Sequence, residues 1–377
     1  MDFQKVIALA TRRGIFQAAF DAYGGLAGFI DYGPVGVKMR RRIQETWRKH
    51  YVIDAGCLEL DGALVGPEAL FQASGHLGEF DDALVGCMDC GKQFRADHLI
   101  KGGEEMSRKE LSEAITGMEC PNCSASLSEV SAFNLMFSTA VGAGMGLPGY
   151  LRPETAQSIF LAFPWLLRQN RGKLPFAAAQ IGRSFRNEIS PRQGPLRMRE
   201  FTQMEVEHFF LPDNEPQLSD DLRNITLTLL DSKGKENISS VGDAFDTGII
   251  NSPLVACHLA RAQRFLTAIG VPSSKLRFRQ HGSKEMAHYS SDCWDGEIST
   301  SLGWVEVVGV AHRGDYDLSA HGNASSKEFR VPVPGTEKET DVWVPDIGKL
   351  GKEFKGDAKT ILDAIEDTEL KPGFSVD

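Results

Sequence analysis

The feature that most constrains the fold is a pair of strand-like segments, residues 176–188 and 198–211, joined by the turn-rich SPRQGPL. Five arginines fall within seventeen residues of this region, interleaved with glutamates and aromatic residues. Alternating side chains around a Pro- and Gly-containing connection predict an antiparallel β-hairpin. The cluster of arginines is unusual for a solvated face and needs a separate explanation.

The two faces of this hairpin differ in chemistry, because successive side chains on a strand alternate between faces. One face of the second strand is largely apolar and is predicted to be buried. The other face, continued onto the first strand, collects an arginine, an aromatic ring and three carboxylates, namely Arg186, Phe201, Glu188, Glu205 and Glu207. Burying such charges without partners is costly, so this face is expected to line a wet, occupied cleft.

This set of groups suits a nucleotide. A guanidinium binds phosphate oxygens in a planar two-pronged contact. An aromatic ring stacks on a purine, and a carboxylate accepts a hydrogen bond from the purine amino group. On spacing alone, the alternative is a salt-bridge ladder on an exposed sheet.

Composition narrows the class of protein. A chain of 377 residues that is 42% hydrophobic can form one large domain or two ordinary ones. The formal net charge of -10 argues against coating nucleic acid by bulk attraction, although a local basic surface can still dock one RNA. No apolar run reaches membrane-spanning length and the N-terminus lacks a secretory pattern, so we expect a cytoplasmic protein. Helical segments mixed with largely antiparallel strand signals predict an α+β fold.

Four of the seven cysteines form two Cys-x-x-Cys pairs, which are Cys87 with Cys90 and Cys120 with Cys123. Two such turns present four thiolates in the geometry that a tetrahedral Zn²⁺ prefers, and a closed shell of four sulfurs indicates a structural metal. The pairs bracket a polar, helix-prone stretch that predicts a small inserted module. A redox-active pair is the alternative, which the presence of two pairs disfavours.

Several blocks of the sequence carry a family resemblance. FRNE followed by RMREF resembles the signature hairpin of class II aminoacyl-tRNA synthetases, an Arg-x-Glu, a variable loop and an Arg-x-x-x-Phe. Longer blocks, running from the N-terminus to about residue 321, are similar to glycyl-tRNA synthetases of the dimeric type: FRNEISPRQGPLRMREFTQMEVEHF, GFIDYGPVGVKMRRRI, ASGHLGEFDD, FRADHLI, LRPETAQ, EMAHYSSDCWD and GWVEVVGVAHRGDYDL.

The resemblance implies ATP-dependent activation of glycine to glycyl-adenylate, followed by transfer of the glycyl group to tRNA(Gly). It implies that Arg186 holds the α-phosphate and Arg197 the γ-phosphate of a bent ATP. It further implies that Phe201 stacks under adenine and that Glu188 receives the adenine amino group. Glu306 would hold Mg²⁺, which bridges the phosphates. Without the resemblance, Glu306 fits a solvent-facing strand position.

Selection of glycine requires a pocket that is anionic and too small for a β-carbon, because steric exclusion is sharp where attraction by one methylene is not. The resemblance implies that Glu154 and Glu205 are the ammonium ligands and that Arg95 makes a further substrate contact. Taken alone, Glu154 fits a first-turn residue that interacts with a helix dipole.

The expected domain organisation is a class II synthetase-like antiparallel sheet flanked by helices, with a small zinc-binding insertion. Residues 1–86 form the first part of the catalytic core and 87–123 the insertion. Residues 124–324 complete the core with the ATP and glycine hairpin, and 325–377 form a polar, insertion-like tail.

The helix predicted for residues 36–51 carries KMRRR, which could form an RNA-binding stripe. The family instead uses this region at the two-fold axis between subunits. Val37, Ile43 and Trp47 interrupt the basic residues, and we therefore expect a homodimer contact.

The third class II signature, Gly-φ-Gly-φ-φ-Arg with φ apolar, is not recognisable in the sequence, and neither is an anticodon-binding domain. The chain is therefore expected to be an N-terminal portion with weak activity in isolation. The alternative is a non-catalytic, shortened paralogue that binds RNA or a partner synthetase.

Overall fold

A computed structural model of the chain describes residues 2–103, 106–144, 146–191, 194–282, 290–331 and 347–361. Two compact units divide the chain, Met1–Phe329 and Arg330–Asp377. No helix among the described residues is long and apolar enough to cross a membrane.

The chain alternates short helices with short strands. The helices are α1 Phe3–Arg12, α2 Pro34–Arg48, α3 Glu68–Ala73, α4 His76–Glu79, α5 Arg108–Ile115, α6 Ala156–Gln169, α7 Asp220–Arg223, α8 Val241–Asp246, α9 Pro253–Ala268, α10 Tyr316–Ser325 and α11 Ile347–Phe354. The strands are β1 Phe16–Ala18, β2 Ile30–Tyr32, β3 Leu58–Leu60, β4 Val65–Pro67, β5 Asp81–Gly86, β6 Gln93–Arg95, β7 Ser131–Asn134, β8 Phe137–Val141, β9 Leu147–Leu151, β10 Phe176–Phe185, β11 Glu200–Phe209, β12 Thr226–Leu230, β13 Glu236–Ser240, β14 Leu276–Gln280, β15 Asp292–Thr300 and β16 Gly303–His312.

The predicted hairpin is present as the antiparallel pair β10 and β11, in which Ser184 lies opposite Phe201 and Gln180 opposite Glu205. Strand β3 adds to the other edge of β10 in parallel. The first strand ends at Phe185 and not at residue 188 as the pattern predicted. Beyond that point the backbone N–H groups of residues 187 and 188 donate to the carbonyls of residues 135 and 186, which turns the chain out of the ladder.

A second, five-stranded sheet has the order β13-β12-β14-β15-β16. In the described part of the chain the strand pairs are antiparallel, apart from β3 with β10 and β12 with β14. The predicted α+β class with a largely antiparallel sheet is therefore confirmed. Helix α9 packs against β15 and β16, and its apolar face joins the main core. Two small side chains on β10, those of Ala177 and Ala179, allow the main core to pack close to the hairpin.

Helix α2 begins at Pro34, directly after Gly33, because proline is favoured in the first turn of a helix. It runs into a π-helical turn, Lys49–Ile53. Trp47 stacks on Tyr51 at a ring distance of 4.9 Å, and both rings are buried in the main core. Ile43 packs on the same core. Two of the apolar residues that suggested a subunit contact therefore stabilise the chain's own fold.

The region of the paired cysteines has its own small core. Strand β5 pairs with β6 and β7, and α5 starts with a capping box in which Ser107 and Glu110 exchange hydrogen bonds. Val85, Phe94 and Leu111 are buried together with Cys87 and Cys120 in this cluster.

The second unit contains α11, followed by a 3-10 turn, Lys355–Asp357, and helical residues 358–361. The rest of the helical run predicted over DAKTILDAIED lies outside the described residues. So do residues 283–289, of which 285–289 belong to the EMAHYSSDCWD block, and residues 332–346 of the polar tail.

Candidate active site

The centre of the site is the guanidinium of Arg186, which lies between two aromatic rings. Its central carbon is 5.4 Å from the ring centroid of Phe201 and 5.4 Å from that of Phe80. Its Nε donates to the Pro153 carbonyl oxygen at 3.2 Å. These contacts hold the guanidinium on the same face of the hairpin as Phe201, as the sequence predicted.

The carboxylate of Glu188 lies 3.9 Å from the guanidinium of Arg197, so the predicted adenine acceptor and the predicted γ-phosphate ligand are neighbours. Burial raises the pKa of Glu188, and the nearby charge of Asp82 raises it further. Arg197 is the more exposed partner. Its guanidinium is therefore available to an anion that approaches from solvent.

Arg199 supports the loop from behind. Its Nε and Nη2 donate to the Glu188 carbonyl oxygen at 3.0 and 2.8 Å, and its Nη1 donates to the Ala27 carbonyl at 3.0 Å. Its backbone N–H donates to the Gly28 carbonyl at 2.8 Å. Gly28 has φ +80, and a Cβ there would approach Pro191 Cγ to 2.8 Å, so a side chain is excluded at this contact. The N-terminal segment therefore fixes the path of the chain near Glu188.

Arg95 is held by two acidic residues, with Nη2 2.6 Å from Asp97 and Nη1 3.2 Å from Asp82. Burial lowers the pKa of Arg95, but the hydrogen bond with Asp97 and the charges of Asp82 and Glu188 outweigh burial and raise it. Arg95 thus stays charged beside the Glu188 end of the site, where a substrate contact requires exchange of an existing ion pair.

Glu205 is clamped by Thr155. The Thr155 backbone N–H donates to Glu205 Oε2 at 2.6 Å, and the Thr155 hydroxyl donates to the same oxygen. Burial raises the pKa of Glu205, and the charge of Glu154 raises it further. The two carboxylates predicted to bind an ammonium are therefore close enough to repel each other.

Glu154 is held differently. Its Oε1 accepts a hydrogen bond of 2.8 Å from the side-chain amide of Gln157, and its Oε2 lies 3.7 Å from Nε2 of His76, an ion-pair distance. Burial raises the pKa of Glu154, but the interactions with His76, Gln157 and Arg313 outweigh burial and lower it to about 2. Glu154 is therefore the carboxylate of the pair whose surroundings more strongly favour the ionised form.

Glu207 adds further negative charge to the same face. Burial raises its pKa well above the ordinary value, and Glu205, Asp317 and Glu154 raise it further, while Arg313 lowers it. Four carboxyl groups, those of Glu154, Glu205, Glu207 and Asp317, thus lie near one another, and Arg313 and Arg186 offset only part of their charge. Such an excess of carboxylates favours a small cation.

Glu306 lies on β16 opposite Glu297 of β15. Arg277 and Arg279 pair with Glu297 at 2.6 and 3.3 Å, so this neighbour is already neutralised. Although Glu306 is accessible to solvent, partial burial raises its pKa, the charge of Asp295 raises it further, and Arg186 lowers it. Arg186 and Glu306 are therefore near enough for their charges to interact.

The four paired cysteines lie together at the small core around β5. Their sulfur atoms all fall within 4.8 Å of one another, with Cys87 Sγ 3.4 Å from Cys123 Sγ and Cys90 Sγ 3.8 Å from Cys120 Sγ. A tetrahedron with Zn–S bonds of about 2.3 Å has S···S edges of about 3.8 Å. Backbone N–H groups of Cys90 and Asn122 donate to two of the sulfurs. The donor set therefore fits a zinc ion.

Sequence reasoning missed the residues that support the ligands. Phe80, His76, Thr155 and Gln157 were present in the ASGHLGEFDD and LRPETAQ blocks, but neither periodicity nor spacing assigned them a partner. Each contacts a predicted site residue that is distant in sequence or in a different element. Apart from the contact of Gln157 with Glu154, these contacts form only where distant segments of the chain pack together.

The antiparallel sheet, the arginine between two rings and the acidic pocket are the parts expected of one enzyme class. Residues 148–351 match the family described as tRNA synthetase class II core domain (G, H, P, S and T). The fold is similar to that of Giardia lamblia prolyl-tRNA synthetase in complex with prolyl-adenylate, with a TM-score of 0.50 and 13% identity over 84% of this chain and 46% of that chain. The chain belongs to the class II aminoacyl-tRNA synthetases.

More specific relatives are glycine--tRNA ligases of archaea. The chain is 46% identical to the protein of Methanothrix thermoacetophila, over 97% of this chain and 66% of the relative. It is 42% identical to that of Methanococcus maripaludis, over 98% and 68%. Within its class, the chain belongs to the glycine--tRNA ligase family, and it spans about two thirds of the length of these relatives.

Proposed function

We propose that this chain carries the ATP- and glycine-binding machinery of a glycine--tRNA ligase, which forms glycyl-adenylate and transfers the glycyl group to tRNA(Gly). The observation that carries the proposal is the position of Arg186 between Phe80 and Phe201. A cation between two rings, beside an acidic pocket, provides a phosphate ligand, a purine platform and an ammonium site together.

In the activation step the carboxylate of glycine attacks the α-phosphorus of ATP and pyrophosphate leaves. A carboxylate needs no general base, so the protein orients the reactants and neutralises phosphate charge. Arg186 holds the α-phosphate and Arg197 the γ-phosphate, while Phe201 stacks on adenine. Glu188 accepts a hydrogen bond from the adenine amino group. Arg199 fixes the Glu188 backbone and so keeps this residue in place.

Mg²⁺ would supply charge neutralisation at the phosphates, with Glu306 as its protein ligand. Glu306 fits this role because it is a hard oxygen donor whose cross-strand neighbour Glu297 is already paired with arginines. The raised pKa of Glu306 indicates a carboxylate that gains from a cationic partner.

The glycine ammonium binds Glu154 and Glu205. The lowered pKa of Glu154 keeps one full negative charge in the pocket. Thr155 fixes Glu205 Oε2 with two hydrogen bonds, so the second carboxylate cannot swing away to admit a larger amino acid. Arg95 makes a further substrate contact near Glu188.

Residues 87–123 form the zinc-binding insertion in this proposal, with Zn²⁺ held by Cys87, Cys90, Cys120 and Cys123. The sulfur separations fit a tetrahedral ion. Residues 1–86 and 124–324 form the catalytic core, and 325–377 form an insertion-like tail. The protein works in the cytoplasm, where reduced thiolates remain available to the metal.

The chain forms a homodimer through its N-terminal region. Several large apolar side chains among the first forty residues are exposed: Val6, Leu9, Phe20, Leu26, Val35 and Met39. Exposed apolar side chains are frequent at subunit contacts. Because Trp47 is buried and Ile43 is partly buried against the protomer core, Val35 and Met39 carry the contribution of α2.

Glycine-dependent exchange of radiolabelled pyrophosphate into ATP tests the function. Weak exchange is expected with glycine and none with alanine or serine, because the third class II signature is not recognisable in the sequence, and Arg186→Gln should abolish it. Arg183→Gln is the matched control, because Arg183 lies on the opposite face of the same strand and pairs with Glu200 at 2.9 Å. Failure to bind both ATP and glycine would contradict the proposal and favour a non-catalytic RNA- or synthetase-binding module.

A further inference from the structure

Gln157, in the first turn of α6, is 2% exposed, and every polar atom of its side chain has a partner. Its Nε2 donates to Glu154 Oε1 at 2.8 Å and to Asp317 Oδ1 at 3.2 Å. Its Oε1 lies 2.7 Å from Nε2 of His321. A single amide thus connects the predicted glycine pocket with α10. Gln157 and His321 are 164 residues apart in the chain.

The chemistry of the partners fixes the orientation of this amide. Ionised carboxylates only accept hydrogen bonds, so the NH₂ end must face Glu154 and Asp317. The carbonyl oxygen then faces His321, whose Nε2 must carry the proton and donate. His321 is 2% exposed, and burial lowers its pKa, which is consistent with a neutral ring protonated on Nε2.

The far end of this network is itself anchored. Arg313 Nε and Nη2 donate to the two carboxylate oxygens of Asp317 at 3.0 and 3.2 Å. Asp317 is 5% exposed, so its position is set by the packing of α10 as well as by this ion pair. The amide of Gln157 therefore cannot rotate without leaving buried donors and acceptors without partners, which costs more than a surface hydrogen bond.

We propose that Gln157, locked by Asp317 and His321, is the positioning residue that holds the Glu154 carboxylate in its glycine-binding orientation. This inference rests on the proposed function, because it deepens the role given to Glu154. Among the described residues, the Glu154 side chain has this one hydrogen bond and the ion-pair contact with His76 at 3.7 Å. Glu154 precedes α6, whose first residue is Ala156, so helical backbone bonds do not fix it.

The test compares the affinities for glycine and ATP in four variants of the full chain. Gln157→Leu removes the amide, His321→Leu removes its lock, and His321→Gln restores an N–H donor to the Gln157 carbonyl. Gln169→Leu is the control, because it makes the same Gln-to-Leu change at an exposed position at the other end of α6.

We expect Gln157→Leu to weaken glycine binding by about tenfold or more, since hydrogen bonds to charged groups contribute on that scale. His321→Leu should have a smaller effect in the same direction, and His321→Gln should recover most of the loss. ATP affinity should change by less than about twofold in each variant. A purely structural role would weaken both ligands together.

Three results would overturn the proposal: unchanged glycine affinity in Gln157→Leu, equal losses for glycine and ATP, or no recovery in His321→Gln. If Gln157→Leu does not fold, the two His321 variants decide by the same criteria. Glu154→Gln separates this proposal from the function itself: if only that variant loses glycine, the function stands and the positioning role falls. If the unmodified chain binds no glycine, both fall. A crystal structure of His321→Leu with the Glu154 carboxylate unmoved would also contradict it.

Discussion

The guanidinium carbon of Arg186 lies 5.4 Å from the ring centroid of Phe201 on one face of the hairpin, although fourteen residues lie between them in the chain. The β10–β11 register explains this contact, because Ser184 pairs with Phe201 and the next same-face position is that of Arg186. Phosphate and purine ligands are thereby placed side by side. The assignment of this face to a nucleotide depends on the contact between Arg186 and Phe201.

Replacement of Glu205 should separate glycine binding from ATP binding. Glu205→Gln keeps the hydrogen bonds from Thr155 but removes the charge that an ammonium requires. We expect glycine affinity to fall by about tenfold or more, on the scale of a hydrogen bond to a charged group, with ATP affinity nearly unchanged. Separate titrations of the two ligands measure this. Glu200→Gln, on the same strand but paired with Arg183, is the control, and equal losses for both ligands would reject the assignment.

Replacement of Phe201 should have the opposite selectivity. Phe201→Leu keeps apolar volume but removes the stacking surface, and base stacking on an aromatic ring contributes about 1–3 kcal/mol. We expect ATP affinity to fall by about fivefold to a hundredfold while glycine affinity changes little. Phe210→Leu, directly after the end of β11 and in edge contact with the ring of His312, provides the comparison. Undiminished ATP binding by Phe201→Leu would remove the ring from the nucleotide site.

Metal removal should loosen the small cysteine core before the main core. Freshly purified protein is expected to contain about one zinc per chain, because four sulfurs form a closed tetrahedral shell. Cys123→Ser or chelation should increase amide exchange within residues 87–123 first, since binding energy contributes to the folding of such modules. Cys57→Ser, in the main core, should leave the metal content unchanged. Metal analysis that finds no zinc would contradict the site.

Stability should fall as the pH drops from about 6.5 to about 4, because two partly buried histidines, His208 of β11 and His258 of α9, lie together. The rings of His208 and His258 are 4.7 Å apart, and burial, together with the charge of Arg261, lowers the pKa of His208 to about 4. Burial also lowers the pKa of His258, and its ring stacks on that of Tyr51.

Between those pH values the unfolded chain binds more protons than the folded one, so the free energy of unfolding rises with pH. His208 alone should contribute a loss on the order of 3 kcal/mol across this window. Denaturant unfolding of the unmodified chain and of His208→Phe at several pH values measures the difference. His98→Phe, at an exposed position, should keep the full pH dependence. An identical pH dependence in all three proteins would show that the buried pair is not responsible.

The sequence predicted the hairpin well, because period-two alternation around a Pro- and Gly-containing turn is a local signal. It also predicted the shared face of Arg186 and Phe201. It overestimated the first strand, because the backbone N–H of residue 187 leaves the ladder and donates to the carbonyl of Leu135, far away in the chain. No local pattern pointed to that partner.

The supporting residues of the site were harder to predict for the same reason. Gln157 follows Glu154 by one helical turn, which is a local relationship, but its contacts with Asp317 and His321 depend on how α10 packs. The role of Trp47 was misjudged in a similar way. A tryptophan on a basic helix suggests an exposed contact, whereas its stacking on Tyr51 is visible only in the folded chain.

The central claim is that the charged face of β10 and β11 forms one pocket for adenylate and glycine. A crystal structure of the chain with glycyl-sulfamoyl-adenosine, a non-hydrolysable analogue of glycyl-adenylate, tests it most directly. We predict that the adenine stacks on Phe201, that Arg186 contacts the sulfamoyl group, and that the amine contacts Glu154 and Glu205. An analogue bound away from Arg186, or no binding at saturating concentration, would contradict the account.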